Sequence, residues 1–259
     1  MLLAIDVGNS DTKLGAFVPE GTAGRLAHTW RIETARRRTA DEFGVLFGTL
    51  FRFAKLDPAD VRAVAISSVV PQSDRALSEA CERYFGCEPS FFSAASQTMI
   101  EVTTERPKEL GADLLAAAIA ARAAYGVPLI VIGFGTATTF GAVSREGEYV
   151  GAALAPGIRI SIDALVERTA KLPQVALEAP NGPIGRDTVS ALQAGIVFGF
   201  VGQTEALVAR MRYAIGEDAR VVATGGLADV IAKHTDAIDA VEPHLVLQGL
   251  ALWHAAHAS

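Results

Sequence analysis

An α/β architecture of two duplicated domains facing an interdomain cleft is the fold class that this 259-residue sequence predicts. Three observations predict it. The stretch "AIDVGNSDTKLGAF" at 4–17 is an apolar run, a glycine-containing turn and a second apolar run, and "LIVIGFGTATTFGAV" at 129–143 repeats the plan. Each copy is followed by helical patterns alternating with short apolar strands, the order that builds α/β layers. Half the residues are apolar and a fifth are charged, which supports a sizeable core. The expected division is 1–115 and 116–259, and a cleft between domains is the default place for a ligand.

The elements follow in order. Residues 2–7 and 12–18 read as strands around the turn Gly8–Asp11, with "LAHTWRIE" at 26–33 as a third. Residues 40–55 carry Phe43, Leu46, Phe47, Leu50 and Phe51 at helical spacing behind a Thr39 cap. "AVAISSVV" at 63–70 is a buried strand, 73–86 a helix ending on Gly86, and 110–125 an Ala-rich helix. The pattern then restarts with strands at 128–134, "TTFGAVS" and "EYVGAALA", and a helix. The longest helix is expected at 188–216, a strand at 220–226 running into Gly225–Gly226 and another helix, and a last helix at about 244–257.

Composition narrows the function classes. A formal charge of −6 argues against a general nucleic-acid binder, because a phosphate backbone demands a basic face. Arg36–Arg37–Arg38 is the one basic cluster and reads as a solvated loop, with an anion-contacting patch as the alternative. The opening MLLAIDVG has neither the basic nor the long apolar region of a secretory signal. No uninterrupted apolar run approaches the roughly 18 residues of a membrane helix. The expectation is a cytoplasmic protein with no membrane or nucleic-acid partner. Cys81 and Cys87 are too few for a zinc site, and the five His residues form no ligand pair.

The turns carry the chemistry. Gly8 lets the backbone turn tightly, and Asn9, Ser10 and Asp11 can present N–H groups as an anion nest, with hydroxyls from Ser10 and Thr12. Asp6, at the strand end, would repel a phosphate there unless a cation lay between, so it implies a divalent metal, Mg²⁺ held through water. A plain Gly-Asn hairpin with Asp6 as turn former is the competing reading. The second turn offers Gly135 for close approach and hydroxyls from Thr136, Thr138 and Thr139; the residue aligned with Asp6 is Gly133. Gly225–Gly226 in "VVATGGLA" lets a strand-to-helix turn lie flat against a ring such as a purine. Together the three pieces point to a nucleotide triphosphate.

The order D-x-G-N-S, G-A-D, x-x-G-T-A-T-T, A-P-G, T-G-G resembles the actin/sugar-kinase/Hsp70 ATPase superfamily. Within it the chain resembles the type III pantothenate kinases, on "LGADL", "FGTATTFGAV", "GAALAPGIRISIDALVERTAKLPQV", "IGRDTVSALQAGIVFGF" and "ATGGLADVI", from residue 2 to about 252. The resemblance implies two actin-like, ribonuclease H-like domains, and ATP-dependent phosphorylation of pantothenate to 4′-phosphopantothenate, the first step toward coenzyme A. It implies ATP phosphates on Asp6 through Lys13, an ATP contact from Thr136, and Asp113 as general base. Gly111, Ala112 and position 114 surround the acceptor. Thr188 contacts pantothenate across a homodimer interface. Read from chemistry alone, Asp113 is either that base or an acid suiting a helix N-terminus.

Four positions depart from the family pattern: Leu114 stands for an arginine, Thr104 for a tyrosine, Gly133 for the aspartate that binds a monovalent cation (K⁺ or NH₄⁺), and Gly141 for an acid. At Gly133 that ligand is lost: either ATP is bound weakly and turned over slowly, or Lys13, whose competing reading is a solvated strand residue, stands in for the cation as a point charge. The departures keep two alternatives in view: a catalytically impaired dimeric regulator, and a kinase of another small alcohol. The 188–216 helix, apolar nearly all round with Gly195, Gly199 and Gly202, is expected to build part of the homodimer.

Overall fold

The computed structural model describes residues 1–257. Its two units are built on the same plan. The first contains β1 (Leu2–Val7), β2 (Asp11–Val18), β3 (Arg25–Glu33), α1 (Ala40–Phe53), β4 (Ala63–Ser68), α2 (Pro71–Phe85) and β5 (Ser90–Phe91). After α3 (Ala112–Tyr125), the second contains β6 (Leu129–Phe134), β7 (Ala137–Val143), β8 (Tyr149–Pro156), α4 (Ile158–Arg168), α5 (Thr188–Ile215), β9 (Arg220–Thr224), α6 (Ala228–Ala232) and β10 (Ala240–Val241); α7 (Leu245–His257) is the last element among the described residues.

The sheet orders are β3-β2-β1-β4-β5 and β10-β9-β6-β7-β8. In each, the first three strands form an antiparallel meander, and the first strand pairs in parallel with the strand that follows the helical excursion. The duplication holds at single-residue register. Asp6 faces Lys13 on one side and Ser67 on the other. Gly133 faces Thr139 and Thr224 in the same way.

By internal contact, the first unit comprises residues 1–100, 105–120 and the chain from Leu245 onward; the second comprises 101–104 and 121–244. The boundary thus lies inside α3, and α7 belongs with the first unit. Gly249 makes this possible: a Cβ there would collide with the Ala116 carbonyl, so only glycine lets the α7 backbone lie against α3.

Each unit has its own core. Leu3, Ile5 and Leu14 pack with Phe47, Phe51, Ile66 and Leu77 in the first, and Ile130, Ile132 and Phe140 with Ile196, Val201, Val221 and Ala223 in the second. Burial of each such Val, Leu, Ile or Phe side chain contributes about 1.5–3 kcal/mol, which makes these strands the rigid supports for the turns at their ends. Local signals set the helix ends. Thr39 and Glu42 form a reciprocal capping box on α1, Pro71 opens α2, and Gly86 ends it at φ 69°. Asp187 and Ser190 cap α5. By length and composition α5 is the one helix among the described residues that could cross a membrane. Its Ile196, Val201 and Val208 lie in the core of the second unit.

Candidate active site

The residues of the first turn divide by what they touch. The Gly8 N–H donates to the Asp11 carbonyl at 3.0 Å, closing the turn between β1 and β2. A Cβ on Gly8 would sit 2.9 Å from that oxygen, so the turn needs glycine. Asn9 and Ser10 stand exposed at its tip. The Asp11 carboxylate is held outward by an ion pair with Arg31 of β3. The Thr12 hydroxyl is buried and shares a 2.8 Å hydrogen bond with Thr34, so it fastens the turn to the end of β3.

Asp6 is a different kind of residue. It is buried at the carboxyl end of β1, with 6% of its surface exposed. Burial, and then the neighbouring Asp113 carboxylate, push its pKa from 3.8 up to about 7. Lys13, its partner across β2, and the Ser67 hydroxyl pull the other way. The Ser67 hydroxyl is wholly buried with no hydrogen-bond partner, and its place opposite Asp6 gives the carboxylate a polar neighbour. Sequence reasoning missed Ser67; the signal was a polar pair, Ser67–Ser68, ending an otherwise apolar strand.

Asp113 lies in the first turn of α3, where the Leu114 N–H donates to its Oδ1 at 2.9 Å. Burial raises its pKa, while backbone N–H groups and Lys13 oppose the rise. The G-A-D order has a steric reason. A Cβ at Gly111 would stand 2.6 Å from Asp113 Oδ1, so a larger residue would press on the carboxylate. Two desolvated carboxylates and one lysine therefore share a neighbourhood within the first unit. No group of three or more His, Cys, Asp or Glu side chains suited to a metal occurs among the described residues. This donor set fits a hard divalent ion that keeps water and phosphate oxygens, rather than an all-protein cage.

An expected result follows from the linkage. Asp6 titrates near 3.8 when unfolded and about 7 when folded, so the folded state holds the proton more tightly between those values. Its contribution to stability is therefore greatest in acid and falls as pH rises through that window. Asp6→Asn should stabilise the metal-free protein at pH 8 by up to roughly 4 kcal/mol, and the gain should vanish by pH 4. Thermal melting in EDTA at both pH values is the check; a variant that melts no higher than wild type at pH 8 contradicts it.

In the second unit, Gly135 and Thr136 are exposed at the tip of the β6–β7 turn, and the Gly135 N–H donates to the Ala137 carbonyl at 3.1 Å. Thr138 is buried and donates to the Pro156 carbonyl at 3.3 Å. Gly157 packs flat on this turn: a Cβ there would collide with the carbonyls of Gly135 and Thr136. Gly225, at φ 100°, ends β9, and a Cβ there would strike the Phe134 backbone; Gly226 is exposed beside it. Thr188, exposed, opens α5, and Gly185 ahead of it lies against the backbone of Ser190 and Ala191. Thr104 is half-buried, with a shielded hydroxyl that has no partner. Ala112 and Leu114 flank Asp113 on α3, both half-buried. Asp6, Lys13, Gly111 and Asp113 are thus brought together in the first unit, while Thr104, Gly133, Gly135, Thr136, Thr188, Gly225 and Gly226 belong to the second.

The family model for type III pantothenate kinase matches residues 2–210. A type III pantothenate kinase from Anaeromyxobacter sp. is 48% identical over 254 residues, covering 98% of each chain. One from Myxococcus xanthus is 46% identical over 250 residues, covering 96% of each. Among solved structures, an inorganic polyphosphate/ATP-glucomannokinase from Arthrobacter sp. superposes with a TM-score of 0.51 at 14% identity, over 100% of this chain and 99% of that one. A Campylobacter jejuni protein assigned to the Baf family of transcriptional activators superposes at 0.59 with 17% identity, over 99% and 98%. The folds agree with the actin-like ATPase and sugar-kinase plan.

Proposed function

The chain belongs to the type III pantothenate kinase family, and from that premise we propose that it transfers the γ-phosphoryl group of ATP to the primary hydroxyl of pantothenate, the entry to coenzyme A biosynthesis. The observation that carries the chemical reading is the Asp6–Lys13–Asp113 neighbourhood. A primary hydroxyl is a poor nucleophile. The Asp113 carboxylate accepts its proton as the oxygen attacks the γ-phosphorus; the bond to the β-bridging oxygen breaks and ADP leaves. A base with its pKa raised toward neutrality suits that task. Asp6 would hold a divalent ion, Mg²⁺, through water, and that ion supplies charge neutralisation on the phosphates.

The remaining roles are assigned on the same footing. Gly8, Asn9, Ser10 and Lys13 receive phosphate oxygens in the first unit, Gly135 and Thr136 do so in the second, and the Gly225–Gly226 turn takes the adenine. Asp11 and Thr12 support the first turn through Arg31 and Thr34. Thr104 and Thr188 offer hydroxyls to the acceptor. Purified protein assayed for ADP release should require pantothenate with its terminal hydroxyl; release that is equal with the deoxy analogue would overturn the acceptor assignment. The expected place is the cytoplasm, where ATP and pantothenate meet.

A homodimer is part of the same proposal. Gly195, Gly199 and Gly202 lie on one exposed face of α5, with open space where each Cβ would be. Leu154 and Ile184 of the same unit are 71% and 85% exposed. Apolar exposure of this size suits a second copy. Light scattering at micromolar concentration should give the mass of two chains, and Gly199→Glu the mass of one. A wild-type monomer would contradict the assembly.

A further inference from the structure

The duplicated sheets allow the strand ends at the two turns to be compared pair for pair, because their pairings correspond although the second turn is one residue shorter. Where the first unit has Asp6 facing Lys13, the second has Gly133 facing Thr139. The first turn keeps both charges and the second keeps neither. The second turn is also closed to an added acid. A Cβ at Gly133 would stand 2.6 Å from Thr139 Oγ1. Gly141 lies on the same face of the sheet, two residues along β7 from Thr139. A Cβ there would stand 2.8 Å from the hydroxyl of Tyr149, a fully buried ring. The space that carboxylates would need at both positions is filled by Thr139 and Tyr149. The residues present therefore do not fit a monovalent cation at this turn.

Charge must still be balanced at the first turn, where a polyphosphate would join two carboxylates. Arg31 is committed to Asp11, which leaves Lys13 as the cation paired with Asp6. Its strand pairing with Asp6 puts both side chains on one face, and its charge acts on Asp6 and on Asp113. Lys13 is half-buried as a residue, so its stem is held by the sheet while its charge stays on the Asp6 face. Resting on the kinase reading above, we propose that this chain needs no monovalent cation, and that the Lys13 ammonium is the fixed positive charge of its phosphate site.

Two readouts test this, the first of them independent of the reaction. Binding of the non-hydrolysable analogue AMP-PNP with Mg²⁺ is measured by calorimetry in KCl and in tetramethylammonium chloride at one ionic strength. Initial rates with pantothenate are taken in the same salts. Wild type should bind and turn over within about twofold in the two salts, whereas a resident cation acting on transition-state charge would give a difference of about tenfold or more. Lys13→Met should lose about tenfold or more in AMP-PNP affinity in both salts, and Lys13→Arg should retain most of it. Circular dichroism confirms that both variants are folded; if Lys13→Met unfolds, retained binding by Lys13→Arg, with equal wild-type affinity in both salts, remains the supporting result. Strong K⁺ activation of wild type, Lys13→Met binding as tightly as wild type, or no wild-type binding in either salt overturns the proposal. Tight salt-independent binding without turnover on pantothenate would leave it standing and overturn the acceptor assignment instead.

Discussion

Asp113→Asn should lower kcat by about 10²–10⁴ while leaving nucleotide affinity within about twofold, because a positioned general base acts on the transition state and not on ATP binding. Asparagine keeps the shape that Gly111 accommodates and keeps an acceptor for the Leu114 N–H. The fold should therefore survive, and the loss should be one of chemistry. What changes is the ability to take the acceptor's proton. The measurement is single-turnover phosphoryl transfer beside AMP-PNP binding. A fall in kcat accompanied by an equal fall in nucleotide affinity would instead make Asp113 a binding residue. A kcat within a few-fold of wild type would remove it from the mechanism.

Gly157→Ala should damage the second turn severely, because the added carbon would collide with the Thr136 carbonyl oxygen. The added carbon meets the carbonyls of Gly135 and Thr136, which are backbone and cannot rotate away. Either the β6–β7 turn moves or α4 backs off, and the Gly157 carbonyl that accepts from the Ser161 backbone and hydroxyl moves with it. Forced overpacking of this kind costs about 1–3 kcal/mol. Urea unfolding should show that loss, and ATP binding should weaken because Thr136 is displaced. If Gly157→Ala unfolds at the same urea concentration as wild type and binds ATP equally, the turn is more yielding than its packing implies.

Much of the fold was legible because its signals are local. Thr39 ahead of an apolar helical stripe marked the start of α1, and Gly86 the end of α2. The repeat of turn and strand around residues 4–17 and 129–143 foretold two sheets of one plan. The two-residue strands β5 and β10 were not legible, since so short a segment has no periodicity. Neither was the return of α7 to the first unit, which depends on the backbone contact of Gly249 with Ala116 across a long stretch of chain. Within the site, Asp6 and Asp113 stood out by type and motif. That Asp6 feels the charge of Asp113 depends on where α3 packs, and that Ser67 lies beside Asp6 depends on a parallel strand pairing; no local pattern encodes either. Thr12 illustrates the opposite case: it belongs to the motif by position, yet its hydroxyl is committed to Thr34.

The most direct measurement is mass spectrometry of the acceptor after incubation of the purified protein with ATP, Mg²⁺ and pantothenate, in a K⁺-free buffer, beside Asp113→Asn. A phosphorylated pantothenate formed by wild type and reduced at least about a hundredfold in the variant is the result expected of a positioned base. Unmodified pantothenate from wild-type protein that is folded and binds AMP-PNP, or equal product from both proteins, would contradict the account.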